Sequence, residues 1–325
     1  MMIKKFFRNH PIHKKIAPIF DVLFFMSPMN FFLSSSIICI GMYLALFMAN
    51  LNPLFINNLS FKPFCLFIGI QSILFGNHIS SSRDSIARFS VVIRKLKVKY
   101  SNTYINNIIR TLYLLGVVCL ANVNIIILFI GSLLIAVNIL VYKSYKEFIN
   151  KSPYLSFIYQ FLIDLLLLLC GFIFMNLDYI YGVNFTLILI PYLFLYISLF
   201  LAKDALGFII EQNLISFSSL LSSSKLIFIS LCLLVIAFCF AILIKDPLSS
   251  IIIIVSIPFF IYASVRGMKK DFQRALVYPI GITIFFICTI FPYLFIPTFI
   301  LFYISKYYNW HRLDYHYPTF LVEDD

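Results

Sequence analysis

The residues best placed to do chemistry are Lys203, Asp204 and Glu211, in the stretch Lys203-Asp204-Ala205-Leu206-Gly207-Phe208-Ile209-Ile210-Glu211. Asp204, Gly207 and Glu211 are spaced three and four residues apart, which places them on one face if the segment is helical. Two carboxylates at that spacing beside a lysine suit a divalent cation or a phosphate, because Mg²⁺ takes one or two protein carboxylates and completes its shell with water and substrate phosphate. A second group is Asn77, Ser81, Asp84 and Arg88, spaced four, three and four apart, with Arg83 beside it. On one helical face it would offer an amide, a hydroxyl, a carboxylate and a guanidinium. A third is Tyr142 with Lys146, stacked four residues apart, whose hydroxyl and ammonium can both donate to a phosphate oxygen. Each group also has a plainer reading as a charged helix end meeting water.

The elements that must position these groups are membrane spans. The chain has 325 residues, 62% of them hydrophobic and 12% charged, against about 25% charged in an ordinary soluble domain. Apolar stretches fall at about 30–50, 61–79, 106–121, 123–142, 155–175, 183–203, 226–244, 249–266 and 276–303. Each approaches the roughly 20 residues that a helix needs to cross the hydrocarbon core, and a helix pairs its backbone polar groups internally. The expectation is an all-α, polytopic membrane protein of about nine helices around a central cavity. A basic arm (1–29) would precede the bundle (30–305), and an aromatic tail (306–325) would follow it.

Charge placement supports this. Of the 25 Lys and Arg, all but Lys62, Lys245, Lys306 and Arg312 fall in the N-terminal arm or in every second connection. The positive-inside rule makes that face cytoplasmic, with the N-terminus inside and the C-terminus outside. The net charge of +12 is therefore read as a topology signal, and no nucleic-acid partner is expected. The arm lacks the short apolar run and small-residue site of a cleaved signal. The seven cysteines lie in or beside apolar stretches, form no metal-ligand or disulfide pattern, and read as packing residues. Asp164 falls in the middle of the fifth span, where an ionisable side chain is expensive and is taken as functional or as a hydrogen-bonded structural acid. Gln71 and Asn138 read as interhelical hydrogen-bonders.

The order of these features resembles the UbiA superfamily of intramembrane prenyltransferases, over nearly the whole chain. That family has an N-[DQ]-x-x-D-x-x-x-D motif after its second helix, a Y-x-x-x-K pair closing the fourth, and a second acidic motif after the sixth. Asn77 matches the leading asparagine, Tyr142 and Lys146 match the pair, and Lys203-Asp204-Ala205-Leu206-Gly207 is similar to a K-D-x-x-D start, with Glu211 at the last acidic place. The chain departs from the pattern at His78, Ser81 and Ser85, which occupy acidic positions while Asp84 lies one residue off register, and at Gly207, which replaces the middle acid.

The resemblance implies a transferase that moves a prenyl group from a polyprenyl (di)phosphate to a small acceptor, with the phosphate at the cytoplasmic face; the Ile-, Phe-, Lys- and Asn-rich composition is compatible with a bacterial source, and so with the inner membrane. It implies Asp84, Asp204 and Glu211 as catalytic ligands of Mg²⁺, a single ion given the missing acids. Tyr142, Lys146, Lys203, Arg83 and Arg88 would hold phosphate, and Asn77 would orient the site. Two other readings remain: a catalytically silent relative that binds or moves an isoprenoid or lipid phosphate, and a transferase for which polyprenyl phosphate accepts a sugar phosphate. An unrelated transporter fits less well, because few ionisable groups lie inside the spans.

Overall fold

The computed structural model describes residues 28–49, 61–82, 102–142, 144–145, 148–149, 152–175, 183–210 and 221–313. They form α1 (Pro28–Met48), α2 (Lys62–Ser82), α3 (Asn102–Ala121) and α4 (Ile125–Ala136), which runs on into a π-helical turn (Val137–Tyr142). Then come α5 (Pro153–Met175), α6 (Val183–Ile210), α7 (Ser223–Ile244), α8 (Pro247–Arg266), α9 (Lys269–Ile290), a 3₁₀ turn (Pro292–Leu294) and α10 (Phe295–Leu313). Among the described residues eight helices are long and apolar enough to cross a bilayer, and Ile125–Val141 is a shorter apolar helix. The protein is an all-α, polytopic integral membrane protein.

Local chemistry sets the breaks. α3 and α4 are separated by a turn in which Asn124, extended at φ −163° and ψ 146°, N-caps α4 by accepting from the Ile126 N–H. The apolar stretch 276–303, expected as one crossing, is instead two helices. α9 ends at Ile290 because Phe291 precedes Pro292, and a residue before proline is pushed out of the helical region; Phe291 sits at φ −117° and ψ 79°. Hydropathy continues across this break, which is why span length alone hid it.

The helices form two compact units. One holds the start of α1 (to Ile37), α2, α3, α4 with its π-turn, and α10. Here α2 packs along α3 and α4 over a core that includes Leu66, Ile70, Ile73, Leu120, Ile127 and Leu134. Gln71 ties α2 to α1, its amide donating to Ser34 at 2.8 Å and Ser35 at 2.9 Å. α10 leaves Ile296, Phe299, Ile300 and Tyr303 exposed, an apolar stripe at helical spacing of the kind that faces lipid.

The other unit holds α1 from Ile38, and α5 to α9. In it α6 packs along α7, α7 along α8, α8 along α9, and α9 returns to α6. α1 and α5 cross where Gly41 lies against the Leu168 carbonyl and Gly171 against the Ile38 carbonyl. Small residues permit such approaches between membrane helices. At the α7–α8 turn Lys245 adopts a left-handed φ of 60°, and Asp246 N-caps α8 with Pro247 at its first position. The Asp246 carboxylate is fully buried. It accepts from the Tyr43 and Tyr192 hydroxyls, each at 2.7 Å, and from the N–H groups of Leu248 and Ser249.

Candidate functional site

The candidate residues of the second unit lie on α6. This helix has 28 residues, about 42 Å at 1.5 Å per residue, against a hydrocarbon core of about 30 Å. Its candidate membrane span runs Phe185–Ala205, which puts Lys203 and Asp204 in the last turn of that span. Lys203 is exposed and Asp204 half-exposed. The helix continues through Gly207 to Ile210, so Asp204 and Gly207 share a helical segment rather than a loop. Glu211 lies outside the described residues.

Deeper in the same unit, Asp164 is buried on α5. Its Oδ2 accepts from the Tyr196 hydroxyl of α6 at 2.7 Å and from the Gln160 amide at 3.1 Å. Tyr196 belongs to a cluster of ring contacts with Phe157, Phe161 and Phe200; Phe157 meets Phe200 edge-on at 4.8 Å and Phe161 meets Tyr196 at 5.8 Å. These rings are half-exposed. Tyr196, Phe200 and Lys203 are spaced four and three apart on α6, so a single face runs from the exposed ammonium down to the buried carboxylate. Lys203 acts electrostatically on Asp164. The face therefore combines a cation at its mouth, aromatic walls and a fixed acceptor beneath.

In the first unit, Asn77 is buried one to two turns before the end of α2. Its Oδ1 accepts from the Tyr113 hydroxyl of α3 at 2.8 Å, and its Nδ2 donates to the Leu134 carbonyl of α4 at 3.2 Å. The Tyr113 hydroxyl also interacts with Asn138 and Ser80. Asn138 is buried within the π-turn. A π-turn widens the ladder from i→i+4 to i→i+5 and is common near functional sites. Here it ends at Tyr142, so the backbone that carries Tyr142 is set by a polar network reaching α2 and α3. Replacing Asn77 with Leu leaves one hydroxyl and one carbonyl short of partners inside the membrane, and a loss of about 1–2 kcal/mol is expected. Thermal unfolding of Asn77→Leu, Tyr113→Phe and the double variant checks this; non-additivity of the double variant is the expected signature of the shared bond.

Arg83, Asp84, Arg88 and Lys146 lie outside the described residues, as do Ser85 and Glu211, and the Tyr142 side chain is not described. Among the described residues no three His, Cys, Asp or Glu side chains gather as a metal site. Asp204 is half-exposed and carries carboxylate oxygens, the donor type that Mg²⁺ takes. Sequence reasoning missed Tyr113, Gln160 and Tyr196. Their only signal was a hydroxyl or amide at helical spacing from a buried polar residue, and such tyrosines are easily taken for interface anchors in a chain with 20 of them.

No protein-family model matches the chain, and no curated protein matches it by sequence. A solved structure of digeranylgeranylglyceryl phosphate synthase in membranes is similar in fold. The TM-score is 0.52 at 16% identity, covering 82% of this chain and 98% of that one. That protein is a UbiA-superfamily membrane prenyltransferase. The likeness is one of fold: the chain has the UbiA-like fold that its motif order implied.

Proposed function

We propose that this protein is a UbiA-like membrane transferase acting on a polyprenyl (di)phosphate. The observation that carries the reading is the α6 face, where exposed Lys203 and half-exposed Asp204 stand above an aromatic-walled surface ending at Asp164. A phosphate suits the mouth of that face and an isoprenoid its walls. The UbiA-like fold supports the same reading, as do the positions of Asn77, Tyr142 and Lys203-Asp204 near the C-terminal ends of α2, of the π-turn that continues α4, and of α6. The basic connections support a cytoplasmic position for those ends, in a bacterial inner membrane.

In the reaction, the bond between prenyl C1 and the diphosphate oxygen breaks and its electron pair leaves with the diphosphate. A bond forms between C1 and the acceptor, which releases a proton. Lys203, with Lys146, Arg83, Arg88 and Tyr142, would donate to the phosphate oxygens and offset the developing charge. Asp204, with Asp84 and Glu211, would hold one Mg²⁺, which when bound neutralises leaving-group charge. Asn77 would act by holding α2, α3 and α4 together beneath Tyr142. Asp164 would present a fixed acceptor to whatever polar group enters the ring-lined face.

The second reading is a silent relative that binds or moves an isoprenoid phosphate. It is favoured by one observation, the replacement of family acids by His78, Ser81, Ser85 and Gly207. Transfer of a sugar phosphate to polyprenyl phosphate would use the same phosphate grip. The test uses purified protein in lipid nanodiscs with Mg²⁺, a polyprenyl diphosphate and a panel of small acceptors, reading released diphosphate. Release is expected to require Mg²⁺, and Asp204→Ala should lower it by about 100-fold or more, the size of effect seen when one group stabilising leaving charge is removed. Equal lipid-phosphate binding by wild type and Asp204→Ala, with turnover by neither, replaces the transferase with the binding protein.

A further inference from the structure

The turn between α8 and α9 carries a second cationic arrangement, separate from the residues used above. Its sequence is Arg266-Gly267-Met268-Lys269-Lys270-Asp271-Phe272-Gln273-Arg274. α8 closes on Gly267, whose left-handed φ of 63° reverses the chain while its N–H bonds the Ala263 carbonyl at 2.9 Å. That reversal brings Arg266 at the end of α8 against Asp271 in the first turn of α9.

Asp271 is 2% exposed and lies between two arginines, with Arg266 Nε at 3.6 Å from Oδ2 and Arg274 Nη1 at 3.4 Å from Oδ1. The guanidinium-bearing side chains stay 40% and 35% exposed. Arg266 is further fixed over the Tyr262 ring, 4.9 Å from its centroid, and donates to the Tyr262 hydroxyl. One buried acid thus holds two arginines in place and neutralises only one of them. Pinned guanidinium groups present donors at reduced entropic cost, and their planar forks match phosphate oxygens.

The apolar surroundings indicate what kind of phosphate. Tyr262, Val265 and Met268 lie beside the arginines and are 49%, 80% and 50% exposed. Inorganic phosphate gains nothing from these side chains. A molecule with a phosphate at one end and hydrocarbon at the other satisfies both.

We propose that the α8–α9 turn binds the headgroup phosphate of an anionic phospholipid, with Arg266 and Arg274 on the phosphate and the acyl chains over Tyr262 and Val265. This does not rest on the transferase reading. The buried Asp271 is a positioning residue that sets the spacing of the two forks.

The test is lipid retention by the full chain, measured by native mass spectrometry after exchange from nanodiscs of equal phosphatidylglycerol and phosphatidylcholine. Wild type is expected to retain phosphatidylglycerol about tenfold over phosphatidylcholine, in keeping with the attraction of two basic side chains at a membrane surface. Arg266→Gln/Arg274→Gln should reduce that preference to near unity, while Lys62→Gln leaves it unchanged. Arg266→Lys/Arg274→Lys keeps the charge and should retain an intermediate preference, and it serves if the glutamine variant fails to fold. No preference in wild type overturns the proposal, as does an equal preference in wild type and in either arginine variant that folds. Displacement of the bound lipid by millimolar inorganic phosphate would assign the turn to free phosphate and would equally end the lipid proposal.

Discussion

Asp246→Ala is expected to destabilise the protein by about 3–5 kcal/mol, with folded yield falling at the growth temperature. Asp246 joins three separate pieces of the second unit: Tyr43 on α1, Tyr192 on α6 and the first N–H groups of α8. Truncation leaves two buried hydroxyls without an acceptor, each worth about 1–3 kcal/mol of desolvation. It also removes a helix N-cap, worth about 0.5–2 kcal/mol. Asp246→Asn keeps the shape and one acceptor oxygen, so its cost should be smaller, about 1–2 kcal/mol. Tyr43→Phe and Tyr192→Phe each remove one donor and leave the other partners in place. Detergent-solubilised protein followed by thermal unfolding ranks the four variants. Equal stability of Asp246→Ala and wild type would show that water replaces the clamp at no cost.

The second large effect is expected at the α1–α5 crossing. Gly171→Leu should abolish recovery of folded protein, and Gly41→Leu should do the same. Any side chain at these positions runs into the main-chain carbonyl of the opposite helix, Ile38 for Gly171 and Leu168 for Gly41. A main chain held by its own helical ladder has no rotamer by which to withdraw. The helices must separate, and the contacts of the buried Ile38, Met42, Leu168 and Phe172 are lost with them. Losses above about 4–5 kcal/mol are reserved for such cases. Gly131 offers the contrast. A methyl group there meets the Leu120 side chain, which can rotate, so Gly131→Ala should cost about 1–3 kcal/mol, the usual range for overpacking. Size-exclusion profiles of the three variants give the comparison directly. A monodisperse Gly171→Leu protein would mean that the crossing is looser than its atoms indicate.

What was legible in the residues follows from the physics of the bilayer. Hydrocarbon demands long apolar helices with internally paired backbones, so the spans and the all-α class could be read from Phe31–Met48 onward. The order of Asn77, Tyr142 and Lys203-Asp204 named the fold that the structural likeness bears out. The break at Phe291-Pro292 escaped because apolar side chains flank it on both sides; the proline was visible, but its effect on the preceding residue was outweighed by hydropathy. The Asp246 clamp escaped for a different reason. An Asp-Pro pair is a clear helix start, yet nothing local points to tyrosines 203 and 54 residues away. The candidate site is divided in the same way. Asp164 announced itself as a charge in the wrong solvent, whereas Tyr196 looked like one more aromatic residue among 38 Phe and 20 Tyr.

The Tyr43–Asp246 bond ties α1 to a residue made much later in synthesis. α1 cannot complete its contacts until the carboxylate 203 residues downstream of Tyr43 has been translated. At about 5–20 residues per second that interval is on the order of 10–40 s. Throughout it the half of α1 from Ile38 must wait in the insertion machinery or in lipid, with a tyrosine hydroxyl unclaimed. Nascent chains arrested before Asp246 should therefore hold α1 in a state open to crosslinking, and release past that residue should close it.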